Sequence, residues 1–173
     1  MSGLPGLRGG EHIGLTVPNL AQAERFLCDV LGAVMIFDGG TIADEDTMVR
    51  VLGGKAGDSC RYKFFRLGTG LNLEVFEYHT GLGGSHPGNP QPGGHHIALY
   101  VDDIGPAAQH LAAHGVEMSG PPEHIDTGPA AGSDWLYFKA PWGLQMELVS
   151  YPNGKAYERT AQLRLWSPHN PND

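Results

Sequence analysis

Two short stretches, HIGLTV at residues 12–17 and HIALYV at 96–101, are near copies, and each opens the same succession of elements. This internal repeat limits the fold more than any other feature. In the first copy, residues 12–17 suit a strand that Pro18 ends, because proline supplies no N–H to a ladder. Asn19, with Gln22 three positions on, signals a helix start, and Leu20, Ala23, Leu27, Val30 and Leu31 follow a helical apolar stripe. Gly32 stops that helix, and AVMIFD (33–38) reads as the next strand. RYKFFRL (61–67) and LNLEVFEY (71–78) make two more strands around the turn GTG, which gives βαβββ. The Gly-rich, acidic residues 39–60 include TMVRVLG, a candidate helical turn over a pocket.

The second copy runs the same way. Asp103 is the expected helix cap, Pro106 fits the first turn, Ile104, Ala108 and Leu111 mark the core face, and Gly115 ends the helix. VEMS (116–119) is then expected as a strand, followed by DWLYFK (134–139) and LQMELVSY (144–151) around the turn APWG. Between the copies, nine of the 16 residues from 79 to 94 are Gly or Pro, a composition that suits a linker rather than an element interior. The expected division is a first module at 10–79, a linker at 80–94, a second module at 95–151 and a tail at 152–173, in which YERTAQLRLW is an arm of no assigned place.

Composition narrows the partners. A chain of 173 residues with 40% apolar residues buries a core, and a net charge of −8 with 11 Lys plus Arg argues against a nucleic-acid partner. The N-terminal MSGLPGLRGG lacks the apolar centre of a signal peptide, and no run approaches the length of a membrane span. Cys28 and Cys60 form neither a disulfide framework nor a metal-binding pair motif. The expectation is a cytoplasmic protein acting on a small molecule, without membrane or nucleic acid.

Superposing the copies aligns His12 with His96 and Glu74 with Glu147, while His95 falls opposite Glu11. Side chains alternate across a strand, so Glu74 points away from Leu73 and Val75, and Glu147 away from Met146 and Leu148. A carboxylate on a concave sheet face is costly unless it is paired, hydrogen-bonded or bound to a cation. Two imidazoles and two carboxylates related by a pseudo-twofold suit one divalent ion, and the donor types leave Zn, Ni, Co, Mn and Fe(II) open. Structural histidines and solvent-facing glutamates are the plain alternatives for each residue alone. His110 and His114 read as surface residues, His79 and His86 lie in the linker, and neither a phosphate loop nor a serine-hydrolase elbow is present.

The paired βαβββ modules, with FLCDVLG closing the first helix, HIGLTVPNL and HIALYVDDI opening the modules and APWGLQMEL ending the second, resemble the vicinal oxygen chelate superfamily of glyoxalases, bleomycin resistance proteins and extradiol dioxygenases. The resemblance covers roughly residues 10–151. It implies an α+β fold in which each mixed sheet curls into half a cup with its helices outside, and two modules form a barrel-like cavity around a metal held by His12, Glu74, His96 and Glu147. It further implies a glyoxalase-like lyase or isomerase whose substrate chelates the metal through neighbouring oxygens and loses a proton to give an enolate. Glu147 is the expected base, with Glu74 its symmetric alternative. An Fe(II) extradiol dioxygenase and a drug-binding resistance protein are the other family readings; a fourth ligand disfavours the first and retained ligands disfavour the second. The strand HIGLTV lacks an arginine that glyoxalase-like members use for glutathione. Module one is longer by 11 positions between its His and Glu, 62 against 51. Asn72, Phe76, Gln145, Tyr62, Phe64, Trp135 and Tyr137 are the expected pocket lining, and a homodimer is one way for modules to pair.

Overall fold

The computed structural model describes Pro5, residues 9–80 and residues 87–171. Most of the N-terminal stretch, His86 in the linker and the last two residues lie outside the described residues. The chain divides into two compact units, one ending at Leu82 and the other beginning at Gly83.

In the first unit, β1 (Ile13–Thr16) leads into α1 (Leu20–Arg25), which continues as a π-helical turn (Phe26–Val30). Next come β2 (Val34–Ile42), a second π-helical turn (Thr47–Val51), β3 (Ser59–Leu67) and β4 (Leu71–His79), so His79, expected in the linker, instead ends a strand paired to Ser59. The sheet order is β1-β4-β3-β2, with β1 parallel to β4 and the remaining pairs antiparallel. The first and last strands of the unit are therefore neighbours. The cap expected at Asn19 is present, its Oδ1 accepting the Gln22 N–H at 2.7 Å. Leu20, Ala23 and Leu27 are buried as the stripe requires, but Val30 and Leu31 are only half-buried and Phe26 enters the core instead. The π turn explains the change: its wider spacing breaks the 3.6-residue phase that the stripe assumes. Glu77 accepts the Leu20 N–H at 2.7 Å, and Lys63 reaches Glu24 at 2.7 Å, so β4 and β3 are both tied to α1 on the face that carries Leu73, Val75 and Phe65.

β2 runs to Ile42 instead of ending near 38, with irregular register on either side of Phe37–Asp38. Gly39 makes that extension possible, since a side chain there would overlap the Tyr62 ring. The strand forms the sheet edge and leaves Val34, Met35, Ile36 and Phe37 exposed.

The second unit has β5 (His96–Tyr100), α2 (Ile104–Ala113), β6 (Glu123–His124), β7 (Asp134–Lys139), β8 (Gln145–Ser150) and a 3-10 turn at Ala156–Arg159. Its order, β5-β8-β7-β6, repeats the first sheet, again with the outer pair β5–β8 parallel. Asp103 caps α2 through the Gly105 N–H at 2.9 Å, and Ile104, Ala108 and Leu111 are buried as expected. The strand expected at 116–119 is corrected. It shortens to a bridge of Met118 to Phe138, flanked by Ser119 N–H donating to the Tyr137 carbonyl at 2.8 Å and Lys139 N–H to the Glu117 carbonyl at 2.9 Å, and the edge strand is the two-residue β6. Gly120, Pro121 and Pro122 interrupt the edge, because two successive prolines remove ladder donors. Among the described residues no helix is long and apolar enough to cross a membrane.

Candidate functional site

Strand phase decides which side chains share a face. In the first sheet Gly14 lies opposite Glu74 and Phe64 opposite Glu74 on the other flank, so Asn72, Glu74 and Phe76 from β4 share one face with Tyr62 and Phe64 from β3. In the second sheet Ala98 and Tyr137 flank Glu147, which puts Gln145, Glu147 and Val149 on one face with His96, Trp135 and Tyr137. The opposite faces carry the buried Leu73 and Val75, and Met146 and Leu148.

Each module brings its own His and Glu together. His12 Nε2 stands 3.1 Å from Glu74 Oε2, and His96 Nε2 stands 3.2 Å from Glu147 Oε2. The imidazoles have equal side-chain exposure, 37%, against 20% and 15% for the carboxylates, so each acid is the deeper member of its pair. An aromatic ring meets each imidazole edge-on: Phe64 against His12 at 5.5 Å and Tyr137 against His96 at 5.3 Å. Both rings are expected lining, and what their sequence context further holds is their equivalence, since superposing KFFRL on LYFK aligns Phe64 with Tyr137.

The spacing fits metal donors. Two ligand atoms each about 2.1 Å from a shared cation, at angles between octahedral and tetrahedral, lie about 3.0–3.4 Å apart. Both observed separations fall in that interval, which overlaps the long end of an ordinary N–H···O bond. The donor set, imidazole nitrogen with carboxylate oxygen, also suits a divalent ion. Among the described residues no group of three or more His, Cys, Asp or Glu side chains is gathered as a metal cage, so what the structure displays is two matched pairs.

The pairs differ around their edges. Glu11 Oε2 bonds His12 Nδ1, and that bond, ahead of the Glu74 charge, raises the proton affinity of His12. His95, the counterpart of Glu11, instead sets its Nδ1 against the Gly93 carbonyl at 3.2 Å. Burial raises the Glu147 carboxyl above its ordinary value, opposed by His96 and by Lys155 of the tail. Burial and the Glu147 charge also raise the Tyr137 phenol.

The expected lining is on the faces described, with two qualifications. Asn72 is engaged, its Nδ2 donating to the Glu11 carbonyl at 2.9 Å and fixing the approach to β1. Tyr62 and Phe76 stack at 5.6 Å and belong to a cluster centred on Met48, Cys60 and Phe76. Met48 comes from the π turn in the 11-position excess and is fully buried, so this segment packs onto the far part of the face that bears Glu74. His110 on α2 and His114 at its C-cap are exposed, with His114 Nδ1 2.9 Å from the His110 carbonyl.

Comparison with known proteins adds four findings. The model of the glyoxalase, bleomycin resistance protein and dioxygenase superfamily matches residues 10–148. A 2-epi-5-epi-valiolone epimerase from Actinomyces is 40% identical over 168 residues, covering 96% of this chain and 92% of that protein. A glyoxalase family protein from Bacillus cereus has a similar structure, with a TM-score of 0.67 at 16% identity over 86% of this chain and 98% of that one. The fosfomycin resistance protein FosX of Listeria monocytogenes, solved with Mn(II) and sulfate, aligns with a TM-score of 0.57 at 22% identity over 90% of this chain and 99% of that one.

Proposed function

The chain belongs to the glyoxalase, bleomycin resistance protein and dioxygenase superfamily, and from that premise we propose that it is a metal-dependent epimerase of a small hydroxylated ketone, 2-epi-5-epi-valiolone or a close relative. The observation that carries this reading is the pair of matched His–Glu–aromatic sets, with donor atoms 3.1 and 3.2 Å apart. His12 Nε2, Glu74 Oε2, His96 Nε2 and Glu147 Oε2 are the four atoms that would hold one divalent ion. Zn, Ni, Co, Mn and Fe(II) all suit this donor set. When bound, the ion supplies a Lewis acid for neighbouring oxygens of the substrate.

The rest of the chemistry falls to side chains. Inverting a carbon beside a carbonyl requires taking its proton from one face and returning one to the other, through an enolate. In one direction the Glu147 carboxylate, released from the ion, would take the proton and a protonated Glu74 would return one to the other face; in the reverse direction the two would exchange roles. Phe64 and Tyr137 hold the imidazoles edge-on, which limits ring rotation and keeps Nε2 toward the carboxylates. The identity of 40% with an epimerase favours isomerisation over ring cleavage, which needs oxygen, and over sequestration, which needs no base.

The decisive experiment incubates the metal-loaded protein with the ketone in D2O and follows deuterium entry at the carbon next to the carbonyl. Exchange that stops on chelation and in Glu147→Gln is expected. Full metal occupancy without exchange in any of several hydroxylated ketones would remove the epimerase reading.

A further inference from the structure

The C-terminal tail folds back onto its own module and borders an open cavity of about 300 Å3. Backbone bonds fix its start: Ala156 N–H donates to the Ala131 carbonyl at 2.9 Å, and Tyr157 N–H to the Pro129 carbonyl at 3.0 Å. Its end is tied to the sheet, where Tyr151 Oη lies 3.0 Å from Ser167 Oγ and Tyr100 Oη 3.1 Å from His169 Nδ1. Gly154 permits the intervening turn, with a φ of 74° and the Glu158 carboxylate where a Cβ would sit. The cavity is thus a built feature of the second unit.

Its lining includes Tyr151, Asn153, Glu158, Arg164, Ser167 and Asn170. Arg164 Nη2 donates to the Glu158 carbonyl at 3.2 Å, and the Glu158 carboxylate accepts the Lys155 N–H at 3.1 Å. One fixed cation and one fixed anion on the same wall offset each other, which disfavours a strongly charged ligand. Amides, a hydroxyl and a guanidinium supply donors and acceptors in several directions, and the Tyr151 ring offers an apolar face, one side of which Lys155 Nζ covers at 4.3 Å. A volume at the lower end of the range for ligand pockets suits a single ring. We propose that this cavity binds a neutral polyhydroxylated ring, such as a cyclitol or monosaccharide.

The site is distinct from the His–Glu pair. Tyr151 lies four residues beyond Glu147, about 13 Å along an extended chain. None of His12, Glu74, His96 and Glu147 lines the cavity, so the inference does not rest on the proposed epimerisation.

The test is amide NMR on the full-length, chelator-treated protein, with myo-inositol as the neutral probe and inorganic phosphate as the charged one. Saturable myo-inositol shifts confined to residues 151–170, retained in His96→Ala, are expected. The double substitution Arg164→Ala with Asn170→Ala, on exposed side chains, is expected to weaken binding about tenfold with an unchanged melting temperature, as the loss of two ordinary hydrogen bonds implies. Absence of saturable shifts, shifts centred on His96 and Glu147, equal binding by the double variant, or tighter saturation by phosphate each overturns the proposal. Because none of these readings involves turnover, failure here leaves the epimerase assignment intact, and failure of that assignment leaves this site intact.

Discussion

The two modules carry the same His–Glu–aromatic set on the same strands but finish the face around it differently. In the first, an insertion places Met48 against Cys60 and Phe76, so the far part of the Glu74 face is closed by buried side chains. In the second, no such insertion exists, and the tail supplies a hydrogen-bonded cover with a polar cavity. Their sheet edges differ too: β2 is nine residues long and β6 only two. The repeat has kept what sets donor-atom geometry, namely the parallel pairing of outer strands, and has let vary everything that closes the sheet.

The comparison breaks first at the carboxylates. If both modules contribute equally, Glu147→Gln and Glu74→Gln each lower kcat by about 10²–10⁴, the range for loss of a general acid or base. A Glu74→Gln enzyme with near-normal kcat would confine the chemistry to the second module. Met48→Ala should destabilise the protein by about 2–5 kcal/mol in urea denaturation, as for other buried large-to-small changes, because Met48 has no exposed surface. Glu11 sharpens the contrast further, since only His12 has a carboxylate on its second nitrogen. Glu11→Gln should weaken metal binding about 10–100-fold in competition with a chromogenic chelator, whereas His95→Ala leaves it unchanged.

The smallest effect concerns pH. Asp44 accepts the Thr47 backbone N–H at 2.9 Å and its hydroxyl at 2.8 Å, and these bonds hold the carboxyl below its ordinary value, the backbone bond first. A depressed acid stabilises the fold above its unfolded value and loses that contribution as pH falls through the folded one. The turn carrying Met48 should therefore loosen under acid conditions, below the usual aspartate range. Asp44→Asn should abolish that part of the acid dependence, measured as denaturation midpoint against pH.

Much of this was legible because the chain states it twice. His12 and His96 stand out through HIGLTV and HIALYV, and alternation alone put Glu74 and Glu147 opposite the buried leucines and methionine. Asn19 and Asp103 announced their helices because capping is local chemistry. Phe26 entered the core through a π turn that a 3.6-residue stripe cannot anticipate. The strand expected at 116–119 shrank to the Met118 bridge because the break at Gly120, Pro121 and Pro122 outweighed local alternation. Met48 and Lys155 act through contacts with residues distant in sequence, where no short-range pattern exists to read. The arm YERTAQLRLW found its place through the Tyr157 N–H and, just past its end, the Ser167 hydroxyl, which composition does not encode.

The pairing of β1 with β4, and of β5 with β8, has a consequence for biosynthesis. Each His sits at the start of its module and each Glu near the end, so neither pair exists until its last strand has left the ribosome. Pairings between distant segments form slowly, because closing the loop precedes the gain from contact. The first module can complete its pair while the second is still being made, whereas the second also awaits the tail that ties Tyr100 and Tyr151. The His12–Glu74 pair would thus be assembled before the His96–Glu147 pair, and the two halves of the repeat would form in sequence order.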